Sequence, residues 1–238
     1  MKFIFGFLTC IVLIILTPLT LLGFIPGLSP LLGAGPKDLG ISITTDDSLQ
    51  ARNKSGTEII SLPVGTPSNE DFKLEGKKEA DFTMDSKELT AHSNNRPWKN
   101  YPVKSLQIKI HDDGSIESSG ILLIDKFMPY AVGLGYSETQ IRDAMNKYNI
   151  PPFEVPFYIF GKGSVANDAV SVNASSVKIG AVPIPNNIVA QANKEAEQVL
   201  NDVIAKHSDA FHAESVTFDK GTMHFKGAVP LKEYVITN

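Results

Sequence analysis

Residues 3–25 form a run of 23 positions without one charged side chain, and this run divides the chain before any other element is assigned. At about 1.5 Å per residue, a helix of that length reaches about 34 Å, against a hydrocarbon core of about 30 Å. The expected organisation is a transmembrane anchor or uncleaved signal over residues 1–25, a Pro/Gly-punctuated tether over 26–36 and a single extracytoplasmic domain over 37–238. The alternative is a cleaved signal peptide, whose apolar region is usually about 7–15 residues long and ends in a small-x-small site. Cleavage after Ala34 would put Leu32 three positions into the site, and cleavage after Gly35 would put Pro36 directly behind the cut, so an uncleaved segment fits better. The amino terminus and Lys2 precede the run, while Lys37 beyond it is accompanied by Asp38, Asp46 and Asp47. The positive-inside bias then places the N-terminus inside and the body outside a cell membrane crossed once.

With Lys2 set aside, the body carries 21 Lys+Arg against 26 Asp+Glu, a formal charge of −5. It has no basic stripe with which to release counterions from a phosphate backbone, so nucleic acid is not an expected partner. A composition 42% hydrophobic and 20% charged suits a chain that buries a core. The single cysteine, Cys10, lies inside the apolar run and leaves the body without an intrachain disulfide or a cysteine-based zinc site.

Periodicity and turn chemistry organise the body. Thr45 is read as the N-cap of a helix over 46–55 that stops at Gly56, followed by a strand over 58–64 and a strand pair or one interrupted strand over 72–84. Asp85-Ser86-Lys87-Glu88 is a capping box opening a helix to about residue 94. Leu106, Ile108 and Ile110 alternate with Gln107, Lys109 and His111 in a half-buried strand, and Asp113-Gly114 predicts a type I′ turn into a return strand over 115–124 that is apolar on both faces at its end. Ser137 with Gln140 opens a further helix, with Ile141, Ala144, Met145 and Tyr148 on one face, and Pro151-Pro152 ends it. Strands over 155–165 and 169–182 flank Asn167-Asp168 as a second hairpin.

Asn186 or Asn187 is expected to cap the longest helix, residues 188–207. Its apolar stripe is Ile188, Ala192, Ala196, Val199, Val203 and Ile204, opposed by Lys194, Glu195, Asn201, Asp202 and Lys206. A last hairpin over 215–218 and 222–229 turns at Asp219-Lys220-Gly221. The fold class that follows is α+β: an N-terminal transmembrane helix, then a curved antiparallel sheet of hairpins packed on a long amphipathic helix.

Catalytic signatures are absent from the sequence, and no cofactor or metal is required. Gly161-Lys162-Gly163-Ser164 lacks the upstream glycine and following helix of a phosphate loop, and neither Gly-x-Ser-x-Gly nor His-Glu-x-x-His occurs. Asp112-Asp113-Gly114 is explained by a turn, and His207 with His212 beside Asp209 or Glu214 by a solvated helix end rather than a metal site. The informative feature is an excess of apolar residues on sheet positions. Tyr130, Phe153, Phe157, Tyr158, Ile159 and Phe160 either line a cavity between the sheet and the long helix, with Val199 and Val203 on its helical wall, or form a two-sided core.

The segment Val177-Lys178-Ile179-Gly180-Ala181-Val182-Pro183-Ile184-Pro185, running into the long helix, and the helix start at Asp85-Ser86-Lys87-Glu88-Leu89-Thr90 before the first hairpin, resemble the YpmS-type membrane-anchored proteins of bacterial envelopes. The resemblance covers the stretch from Asp85 onward, while residues 36–84 depart from the pattern. It implies one N-terminal span and an extracytoplasmic domain in which a strand ending in Ile-Gly-x-x-x-x-Pro leads into a helix. It implies no catalytic residues. Two functions are carried forward: a non-catalytic envelope protein whose body binds a lipid or other apolar ligand, and a docking or assembly module of a larger membrane complex without a small ligand.

Overall fold

The computed structural model describes residues 35–237, except for residues 68, 148–153 and 181 and the side chains of 144–147. The expected span over 3–25 lies outside the described residues, as do Cys10, Tyr148, Pro151, Pro152 and Phe153. Among the described residues no helix is long and apolar enough to cross a membrane.

The fold is α+β with a mostly antiparallel main sheet, and its first helix shows how local chemistry sets the boundaries. Helix α1 (Thr45–Ser55) begins one residue earlier than expected, because its cap is Thr44 rather than Thr45. A capping box spans three residues, and Asp47 is the carboxylate that reaches back: its Oδ2 accepts from the Thr44 N–H at 2.7 Å while Thr44 Oγ1 accepts from the Asp47 N–H at 3.2 Å. Gly56, at φ 58°, ends the helix in the left-handed conformation that glycine adopts without a Cβ penalty.

Strand β1 (Glu58–Ser61) is shorter than the expected 58–64, and the doubtful segment over 72–84 is two strands, β2 (Phe72–Glu75) and β3 (Lys78–Asp85). Helix α2 (Ser86–Asn94) carries the expected Asp85/Glu88 box. The first hairpin is β4 (Val103–Ile110) and β5 (Ile116–Leu122), but its turn is not type I′. Only Gly114 has a positive φ, 76°. Asp113 Oδ1 accepts from the Ser115 N–H at 2.9 Å and from its hydroxyl at 2.6 Å, which draws one more residue into the turn.

Beyond Leu122 the expected strand gives way to an unforeseen helix, α3 (Ile124–Gly133), which contains Pro129 and buries Ile124, Phe127, Tyr130 and Ala131. Helix α4 (Glu138–Lys147) starts at the Ser137/Gln140 box as expected. The second hairpin, β6 (Val155–Ala166) and β7 (Ala169–Ile179), does turn with two positive φ angles, 49° at Asn167 and 65° at Asp168. After the two-residue strand β8 (Val182–Pro183) comes α5 (Asn186–Lys206). Neither asparagine caps it. The Pro185 carbonyl accepts from the N–H groups of Ile188 and Val189 and so starts the helix with both asparagines already in its first turn. Strands β9 (His212–Asp219), β10 (Thr222–Val229) and β11 (Lys232–Val235) complete the order.

The main sheet runs β3-β10-β9-β6-β5-β4, with β7 and then β8 attached beyond β6. Strand β6 pairs with β7 along one side, while on the other it pairs with β5 over residues 155–161 and with β9 at Val165 and Ala166. A second, three-stranded sheet, β1-β11-β2, was not anticipated, and its β1–β11 pair is parallel.

The buried face of α5 is Ile188, Val189, Ala192, Ala196, Leu200, Val203 and Ile204. Val199 is only half-buried, and Leu200 takes the core position expected of it. The cause lies on the flank of the same helix. Asn193, Glu197 and Asn201, one turn apart, bond to the backbone N–H groups of Ala174, Val172 and Val170 on the free edge of β7 and fix how the helix is rotated. Helix α2 does the same for β4: Ser86, Thr90 and Asn94 accept from the N–H groups of Ile110, Ile108 and Leu106. Two helices thus serve as side-chain strands that cover two sheet edges.

Candidate functional site

A half-open hollow of about 400 Å³ lies between α1, the start of β1 and the end of α2. That volume is in the range of small-ligand sites. Helix α1 contributes Ser48, Leu49 and Arg52, the segment before it Ile43, β1 Ile59, and the end of α2 with its following turn His92, Asn95, Arg96 and Pro97. Two of the large apolar side chains that stand in solvent are here, Ile43 at 38% exposure and Leu49 at 52%.

The wall beneath them is polar. Arg96 and Glu233 of β11 form a buried ion pair that ties the small sheet to the end of α2. His92 is 8% exposed, and its Nε2 has no hydrogen-bond partner. Burial holds its pKa well below the usual imidazole value, and the charges of Arg96 and Arg52 push it the same way, so the ring is neutral. Arg52 is exposed, and among the described residues its side chain makes no ion pair. Asn95 Nδ2 donates to Ser48 Oγ at 2.6 Å, and Ser48 donates in turn to the Thr44 carbonyl at 3.2 Å, so α1 is stitched to the end of α2 across the hollow. Among the described lining residues none is a carboxylate.

A second, more open hollow is lined by His111, Asp112, Asp113, Ser115, Glu117, Tyr158 and Phe160. Its central carboxylate is already occupied. Glu117 accepts from Lys37 at 2.6 Å, the Tyr158 hydroxyl at 2.8 Å and His111 Nε2 at 2.9 Å. Burial alone would raise the Glu117 pKa, but these three bonds outweigh it and hold the group at about 2. The same bonds pin the extended segment before α1 to the outer face of the sheet, where Gln107 Oε1 also accepts from the Leu39 N–H at 2.7 Å. With its acceptors taken, this site is the weaker of the two.

The residues expected to line a cavity are dispersed. Phe157 and Ile159 are core side chains on one face of β6, whereas Tyr158 and Phe160 are half-buried on the other, Phe160 meeting His111 edge-on at 6.2 Å. Tyr130 belongs to an aromatic stack, its ring 4.9 Å from Trp98 and 6.3 Å from Tyr101. Val203 is buried, Val199 is half-buried and Phe153 lies outside the described residues. Since the two faces of β6 are opposed, these residues do not share one hollow. None lines the hollow at α1.

Of the residues that line it, the sequence singled out only Thr45, as a helix cap, and none as a binding residue. Arg52 lies on α1 and Arg96 just beyond the end of α2, and the packing of α1 on α2 brings them together. Among the described residues no cluster of three or more His, Cys, Asp or Glu side chains forms a metal site, and His212 Nδ1 instead meets Asp168 Oδ2 at 2.7 Å. The chain matches no protein-family model, no curated protein and no solved structure.

Proposed function

We propose that this chain is a single-pass, membrane-anchored envelope protein whose body binds a lipid or other apolar ligand without catalysis, and that the hollow at α1 is the binding site. The observation that carries the reading is the pairing of Ile43 and Leu49, exposed on the rim, with a polar wall containing His92 and Arg96. A concave site that joins apolar side chains to a few convergent polar groups is the usual form of a small-ligand site. The uncharged run over residues 3–25 supports the anchor, and the motif leading into α5 supports kinship with the YpmS-type envelope proteins.

The full-length protein in nanodiscs, titrated with a fluorescent fatty acid against empty discs, tests the assignment. Saturable uptake that falls at least tenfold in Leu49→Asp is expected. Uptake that never exceeds the empty discs, or that Leu49→Asp leaves unchanged, overturns the site.

A further inference from the structure

We infer that the ligand of the hollow at α1 is a single-chain amphiphile ending in an oxyanion, with Arg52 as the counter-ion of its head group; this rests on the ligand-binding reading of the same hollow. The charge balance of the wall is the first argument. Two arginines line it and, among the described residues, no carboxylate does, in a chain whose formal net charge is −4. Glu233 already neutralises Arg96, which leaves Arg52 as the uncompensated cation.

Occupancy of the other polar groups is the second. Asn95 and Ser48 bond to each other, and Thr57 donates to the Pro230 carbonyl at 2.7 Å, so none of these three is free to hold a head group. His92 differs from these three: it is a buried ring with an unpartnered nitrogen beside the two guanidinium groups. An oxyanion placed there meets a bidentate cation and a neutral ring, and it offsets the positive field of Arg96 and Arg52 that adds to burial in keeping the ring uncharged. The apolar part of the wall is the third argument. Ile43, Leu49, Ile59 and Pro97 offer nothing to a bare ion and suit a hydrocarbon chain leaving the head group.

Equilibrium dialysis of the full-length protein in nanodiscs of neutral-headgroup lipid, blanked with empty discs, separates the possibilities. Three probes are used: dodecyl phosphate, dodecanol and inorganic phosphate. Dodecyl phosphate is expected to bind at least tenfold more tightly than either of the others. That preference should collapse in Arg52→Gln, survive in Arg52→Lys, and be untouched in Arg142→Gln, which removes an exposed arginine on α4. Equal binding of dodecanol and dodecyl phosphate overturns the head-group assignment while leaving the hollow as an apolar site. Inorganic phosphate binding as tightly as dodecyl phosphate overturns the amphiphile. Failure of all three probes overturns the hollow as a ligand site together with this inference.

Discussion

Asn193 on α5 meets Ala174 on β7 as a neighbouring strand would: its Oδ1 accepts the Ala174 N–H at 3.1 Å and its Nδ2 donates to the Ala174 carbonyl at 3.0 Å. On the opposite side of the sheet Asn94 does the same to Leu106, and Thr90 to Ile108. Asn193→Leu and Thr90→Val each leave a backbone donor and acceptor without partners and should lower stability by about 1–3 kcal/mol in urea melts. The double variant Asn193→Leu/Asn94→Leu opens two edges, and sedimentation velocity should show more self-association than in the parent.

The rotation of α5 is tested by its own side chains. Leu200→Ala, at a buried position, should cost about 2–5 kcal/mol and Val203→Ala about 1–3 kcal/mol, through lost transfer energy and the cavity left behind. Val199→Ala, at a half-buried position, should cost less than either, and Lys194→Ala, which is exposed, no more than about 0.5 kcal/mol. Thermal or urea melts that rank Val199→Ala above Leu200→Ala would reverse the assigned face.

Glu117 gives the fold an acid-side dependence whose sign is fixed by its partners. Its carboxyl is at about 2 in the folded chain and near 4.5 when unfolded, so the native form binds fewer protons between those values. The stabilisation is fully present above about pH 4.5 and disappears as the pH falls towards 2. Glu117→Gln should therefore cost on the order of 1–3 kcal/mol at pH 7, with the gap to the parent closing below about pH 4.5. Chemical denaturation across pH 7 to 2.5 reads this directly, and a gap that stays constant would show that the three hydrogen bonds do not hold the charge.

The buried pair under the hollow responds differently to single and double replacement. Glu233→Gln removes the carboxylate that pairs with the buried Arg96 guanidinium and should cost about 3–5 kcal/mol. Arg96→Met/Glu233→Leu removes both charges and should recover most of that loss in stability melts, because ion pairs of this kind are expensive to desolvate.

Much of the fold was legible because local chemistry decided it. The Asp85/Glu88 and Ser137/Gln140 boxes, the Gly56 stop and the Asn167-Asp168 turn each act within a few residues, and each stands where the sequence placed it. The failures are where a local signal was ambiguous or the deciding partner was distant. Thr44 and Thr45 look alike as caps until Asp47 selects one. Pro129 masked α3, since an interior proline argues against a helix that tertiary burial of Phe127 and Tyr130 nevertheless maintains. The dinucleotide Asp113-Gly114 promised a tighter turn than the Asp113 side chain permits. For the site, two-sided apolar strands drew attention to β6, where Phe157 and Ile159 are simply core. The hollow at α1 has no sequence signature, as its rim and wall come from separated segments that periodicity does not connect.

The parallel pairing of β1 with β11 and the Arg96–Glu233 bond across 137 positions also set a schedule for synthesis. A chain leaving the ribosome N-terminus first can form α1, α2 and the first hairpin from neighbouring residues, but strand β1 and the wall of the hollow must wait for residues 232–235. The wall of the hollow is therefore completed late, only once Glu233, 137 positions beyond Arg96, has been made.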